Sequence, residues 1–166
     1  SQFTDVAAGA WYAKAVAWAA SRDIVNGTSA TTFSPNSPIT REQLAVIFYR
    51  YAQDQGWDVS AWTDLGLYQD AVQVSDYATQ ALAWAVGAGL ITGTTDTTLS
   101  PRGSATRAQV AVILTRFCET VMPDGPVSHQ EMVRNLQNSS LRKKDTLAAM
   151  AQVLLDDGFA PAFVAG

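Results

Sequence analysis

Arg41 and Arg107 occupy the same local pattern, Thr40-Arg41-Glu42-Gln43 and Thr106-Arg107-Ala108-Gln109. A guanidinium presents a planar fork that pairs with a carboxylate through two hydrogen bonds, so a repeated arginine is a candidate reader of a carboxylate-bearing ligand. Asp5 and Asp70 lie ahead of the two arginines at matching places, and Gly27 and Gly93 fall between. Trp57 and Trp62 are flat rings that suit the C–H faces of a sugar. Each group also has a plainer role. The arginines either bridge to Asp5 and Asp70 and lock the fold, or hold a ligand, or divide their five donors between both tasks. The tryptophans either line a groove or pack in a core. Gly27 and Gly93 most simply serve turns that need positive φ.

Catalytic chemistry finds little support. The single histidine, His129, has no nucleophile motif to serve, and Cys118 is a lone cysteine in an apolar helical stretch, a small buried residue rather than a nucleophile. There is no Cys/His cluster for zinc and no glycine-rich phosphate loop. A non-enzymatic chain without cofactor or metal is expected. The 166 residues are 48% hydrophobic and 16% charged, with a formal net charge of −4. That composition suits a folded domain and lacks the basic face a general nucleic-acid binder needs. No apolar run approaches the length that crosses a bilayer, so membrane insertion is not expected.

The arginine pattern belongs to a longer internal repeat. Ala15-Val16-Ala17-Trp18-Ala19 returns as Ala81-Leu82-Ala83-Trp84-Ala85, Phe33-Ser34-Pro35 as Leu99-Ser100-Pro101, and Ala45-Val46-Ile47 as Ala111-Val112-Ile113, at a spacing of about 66 residues. Each copy reads as helix–loop–helix. The first helix is expected over about Trp11 to Ser21 and Asp76 to Gly87, from apolar residues at helical period. Trp18 and Trp84 fall on its alanine-rich face, which points to core packing. The loop is rich in Gly, Thr, Ser and Pro. The second helix starts after Thr40 and Thr106, each an N-cap whose Gln43 or Gln109 completes a capping box. The expected fold is therefore all-α. Its segments are residues 1–53, a connector over 54–67, residues 68–122, and a tail over 123–166 with two short helices.

These landmarks resemble the S-layer homology (SLH) family. The likeness covers about Phe3 to Ala52 and Tyr68 to Glu119. It rests on Phe3-Thr4-Asp5-Val6 and Tyr68-Gln69-Asp70-Ala71, the tryptophan helix, the glycine loop ending at Phe33-x-Pro35 or Leu99-x-Pro101, and the Thr-Arg helix start. The resemblance implies attachment to secondary cell-wall polysaccharide, often pyruvylated, in grooves between repeats. It implies an extracellular place on the bacterial wall or S-layer. Such repeats commonly come in threes around a pseudo-threefold prism. Carried over, the binding residues are Arg41, Arg107, Asp5, Asp70, Gly27 and Gly93, with Trp57 and Trp62 as groove candidates. A pyruvate ketal is a carboxylate on a sugar, and the first helical turn adds backbone N–H groups that favour an anion.

Two departures matter. Gln43 and Gln109 stand where the family has Glu, so the cap survives without its charge. The tail from Pro123 carries no third copy of the motifs. The two copies would then form a bundle or an incomplete prism, completed by the tail, by a homo-oligomer or by a partner domain. The alternative to glycan binding is a scaffold whose tail helices dock a partner.

Overall fold

The computed structural model describes residues 2–122. The expected tail helices lie outside the described residues. Among the described residues there are four α-helices: α1 (Ala13–Ser21), α2 (Arg41–Asp54), α3 (Thr79–Gly87) and α4 (Arg107–Thr120). Three 3₁₀ turns, Leu65–Leu67, Ala71–Gln73 and Asp76–Ala78, shape the approach to α3. No strand is present among them, only an isolated bridge between Thr40 and Ser104. The fold is all-α, as the pattern predicts.

Both capping boxes form. The Thr40 hydroxyl accepts from the Gln43 N–H while the Gln43 side chain accepts from the Thr40 N–H, and Thr106 with Gln109 repeats the arrangement. Glutamine needs only a carbonyl oxygen for this, so the helix start is intact without a charged residue at that position. The first helices are shorter than the periodicity suggests. Neither Tyr12 nor Ala78 supplies a side-chain cap, and the turn Asp76–Ala78 tightens to 3₁₀ before α3 begins.

α1 and α3 both end by chain reversal through a left-handed residue. Asp23 sits at φ 56 and Gly89 at φ 72. The N–H groups of Asp23 and Ile24 reach back to the Ala20 and Ala19 carbonyls, and those of Gly89 and Leu90 to the Val86 and Ala85 carbonyls. This Schellman arrangement satisfies carbonyls the helix leaves open and folds Ile24 and Leu90, both buried, back under the last turn.

The chain divides into two compact units, with Pro38 the last described residue of one and Ile39 the first of the other. In the first unit Phe3 stacks on Phe33 at 5.3 Å, and Val16 and Ile24 are fully buried. The second unit contains α2, the connector, α3, the second loop and α4. Its core is aromatic. Phe48 lies 4.7 Å from Phe117, Tyr51 and Trp57 pack against Phe117, and Tyr49 meets Trp84 edge-on at 5.4 Å. Such pairs add to area burial through their quadrupoles. The connector is an ordered part of this unit. Thr63 donates to the Ala83 carbonyl, and the Trp62 backbone lies so close to Gly87 that a Cβ there would meet it at 2.6 Å.

Asp23 does with an L-residue what Gly89 does without strain. Asp23→Gly is expected to raise stability by on the order of 0.5–1 kcal/mol, read as a higher urea midpoint at unchanged slope.

Candidate functional site

The chemistry-bearing residues gather where the start of α2 meets the second loop. That loop is shaped first by Asp70. Its two carboxylate oxygens accept the Leu99 N–H at 2.9 Å and the Ser100 N–H at 2.7 Å. Ser100 takes φ 51, and its hydroxyl joins Thr94 and Thr98 in a hydroxyl cluster. Asp5 repeats the device in the first unit, accepting from Phe33 and Ser34 at 2.8 and 2.7 Å, with Ser34 at φ 61. The two aspartates therefore act on their own loops. Among the described residues Asp70 forms no ion pair with Arg41 or Arg107, although the charges of Asp70 and Arg41 still act on each other.

Gly27 and Gly93 sit inside these loops, and neither has positive φ. The expectation of a left-handed turn is corrected here. Glycine is required because the chain folds onto itself: a Cβ on Gly27 would collide with the Thr32 carbonyl oxygen and the Phe3 ring, and one on Gly93 with the Thr95 and Thr98 carbonyl oxygens.

Arg41 is buried, with 5% of its surface exposed. Its Nε donates to the Leu99 carbonyl at 2.8 Å and its Nη2 to the Thr92 carbonyl at 2.5 Å. Burial pulls its pKa below the ordinary arginine value, while the charge of Asp70 pushes it back up. The backbone around it is equally committed. The Arg41 N–H donates to the Gly103 carbonyl and the Glu42 N–H to the Pro101 carbonyl, and the Gln43 N–H goes to Thr40. The first turn of α2 thus has no N–H left for an external anion, contrary to what a helix start alone suggests.

Glu42 is the residue that sequence reasoning passed over. It is buried, and its carboxylate accepts from the Ser75 N–H at 3.0 Å and the Ser75 hydroxyl at 2.8 Å, with the Tyr77 hydroxyl at 3.5 Å. A buried carboxylate must be satisfied in this way. Its sequence signal was the one mismatch in the repeated helix start, Glu42 against Ala108. The Tyr77 pKa is raised, first by burial and then by Glu42, against the opposing charges of Arg102 and Arg50. The Tyr77 side chain nonetheless keeps 56% exposure, so aromatic surface is left at the rim of the junction.

The second helix start is different. Within the second unit Arg107 and Ala108 are exposed, and none of its described residues accepts from their N–H groups or from the Arg107 guanidinium. The other candidates separate. Trp57 packs half-buried on Tyr51 and Phe117, Trp62 keeps 68% exposure, and Trp84 is buried with its Nε1 unpaired among the described residues. Trp18 is only half-buried, with the Arg22 guanidinium 5.5 Å above its ring. Cys118 is buried and its thiol is pushed up to about 11, chiefly by burial, which leaves it a poor nucleophile. No helix among the described residues is long and apolar enough to cross a membrane. His129 lies outside them.

Comparison with known proteins places this architecture. The family model for the S-layer homology domain matches residues 2–45 and 67–111, and the chain belongs to that family. It is 34% identical over 134 residues to a surface-layer 125 kDa protein of Lysinibacillus sphaericus, across 79% of this chain and 11% of that protein. It is 32% identical to an amylopullulanase of Thermoanaerobacterium thermosulfurigenes, across 68% of this chain and 6% of the relative. A third relative, an exoglucanase XynX of Acetivibrio thermocellus, is also 32% identical, across 68% of this chain and 10% of its own length. The chain thus spans only a small part of the curated relatives it matches.

Two outcomes follow from the loops. Hydrogen bonds from the Phe33 and Ser34 N–H groups hold the Asp5 pKa low. For Asp70, burial pushes upward, but bonds from Leu99 and Ser100 and the charge of Arg41 outweigh it and leave the pKa lowered. A carboxylate lowered on folding stabilises the fold above its ordinary pKa of 3.8, and that contribution is lost as pH falls through the folded value. Tm should therefore drop on acidification below about pH 4, and the double variant Asp5→Asn, Asp70→Asn should start lower and fall less steeply. Separately, Gly93→Ala should destabilise by on the order of 1–3 kcal/mol in a urea titration, as overpacking does.

Proposed function

We propose that this chain is a non-catalytic anchoring module that holds its parent protein on a bacterial cell wall by binding secondary cell-wall polysaccharide. Membership of the S-layer homology family supports the anchoring role. So does the company the segment keeps: it matches small parts of a surface-layer protein, an amylopullulanase and an exoglucanase, as a module grafted onto parents of different activity would. A place at the cell surface follows from the same role.

The observation that carries the binding chemistry is the rim of the α2 junction. Tyr77 offers an exposed ring, and the charge of the exposed Arg102 acts on its hydroxyl. The ring suits a sugar face, and an arginine suits a carboxylate such as a pyruvate ketal. Arg41, Asp70 and Gly93 serve this site by holding the loop beneath it, because their own polar groups and space are taken up inside the protein. Trp62 offers a second exposed ring in the same unit.

The test compares sedimentation of the chain with purified cell walls and with walls stripped of polysaccharide. Binding is expected to intact walls only, to weaken with added salt, and to fall about tenfold in Arg102→Ala and in Tyr77→Ala, each worth roughly 1.4 kcal/mol. Equal binding to stripped walls would favour the scaffold alternative and defeat the glycan reading. Unchanged binding in both variants would remove the rim from it.

A further inference from the structure

The exposed ring at the rim stands on a turn that is fastened from elsewhere. Tyr77 is the middle residue of the 3₁₀ turn Asp76–Ala78, and Ser75 is its N-cap. A serine in that place ordinarily turns its hydroxyl onto the free N–H groups of its own turn. The Ser75 side chain makes no such bond. Its hydroxyl donates instead to Glu42 at 2.8 Å, and its N–H donates to the other oxygen of the same carboxylate at 3.0 Å. The Tyr77 hydroxyl reaches Glu42 as well, at 3.5 Å. Inside the turn the Ala78 N–H closes on the Ser75 carbonyl at 2.9 Å.

Glu42 is not required by its own helix. Thr106 and Gln109 form the same capping box beside Ala108, so the box needs no acid at this place. The residue is 3% exposed, a costly position for a charge. The first turn of a helix eases that cost but does not choose the partners. Among the described residues the donors to this carboxylate are the Ser75 N–H, the Ser75 hydroxyl and the Tyr77 hydroxyl, all from the approach turn.

A ring with 56% exposure has little packing to fix it, and a ligand that must order a loose side chain binds more weakly. A bond at the hydroxyl uses the edge of the ring and leaves its faces for a sugar.

We propose that Glu42 is the positioning residue of the glycan rim, holding the turn through Ser75 and the ring through the Tyr77 hydroxyl, an assignment that rests on the glycan reading of Tyr77. Glu42 itself touches no ligand. The Ser75 bonds are short and the Tyr77 contact is long, so most of the effect passes through the turn. The phenol carries a signature of the contact: burial raises its pKa first, and the charge and hydrogen bond of Glu42 add to that, against Arg102 and Arg50.

Sedimentation of the full chain with intact cell walls tests this, with Tyr77→Ala as the reference. Glu42→Ala should weaken binding about threefold to tenfold at unchanged helical circular dichroism. Added to Tyr77→Ala, it should cost nothing further. Ser75→Ala removes one hydroxyl without opening the core and should weaken binding about threefold. Glu42→Gln should bind within about twofold of wild type, because an amide accepts from the Ser75 N–H and donates to the hydroxyls. In an ultraviolet titration, the tyrosine that Tyr77→Phe removes should titrate at lower pH in Glu42→Gln than in wild type.

Wild-type binding by Glu42→Ala or by Ser75→Ala, while Tyr77→Ala stays weak, overturns the proposal. So does a full further loss in the double variant, a Glu42→Gln as weak as Glu42→Ala, or an unmoved phenol titration. A Tyr77→Ala variant that binds like wild type defeats the glycan reading of the rim, and the proposal with it.

Discussion

Everything in the second unit depends on how the first turn of α2 finds its acceptors. A helix start leaves backbone N–H groups without partners, and a buried start must satisfy every one. Here the carbonyls of Pro101 and Gly103 do so from a loop some sixty residues away, while the Arg41 side chain reaches two further carbonyls of the same loop. A guanidinium spans that distance with a fixed planar set of donors, which a lysine would not. The arginine that looks like a ligand reader in the sequence is thus first a fastener.

The loop that receives α2 is held in shape by bonds within its own repeat. Asp70 ties two successive N–H groups, Ser100 accepts a left-handed conformation, and Gly93 lets the chain pass close to its own carbonyls. These are local interactions within one repeat, and the first repeat duplicates them. The long-range junction therefore rests on a loop whose shape is fixed by local bonds, which lowers the ordering cost the junction itself must meet.

The sequence made the helices and their caps legible because those signals are local: helical period, a threonine followed by glutamine, glycine and proline in the loops. The core tryptophan, Trp84, was legible for the same reason. The destination of Arg41 was not, since a hydrogen bond to a loop carbonyl leaves no residue-type signature at the acceptor. Asp70 was misleading for a related reason. Its partners are backbone N–H groups, so a carboxylate that looked free to pair with arginine was already engaged. Gly93 is the clearest case. Its type was noticed, but steric proximity and positive φ both select glycine, and only coordinates distinguish them. The role of Glu42 was hidden because it differs from its counterpart Ala108, and attention to what repeats passes over what does not.

The repeat seen in the sequence and the compact unit seen in the structure are out of phase. The boundary at Pro38 and Ile39 falls inside the first copy, so the second half of one period folds with the first half of the next. Duplication or loss of a whole period by recombination would therefore leave each surviving junction with its proper partners when the crossover falls outside the Glu42–Tyr77 stretch. Lengthening or shortening such an array needs no new interface to evolve. What changes is only which open end the array presents to its surroundings.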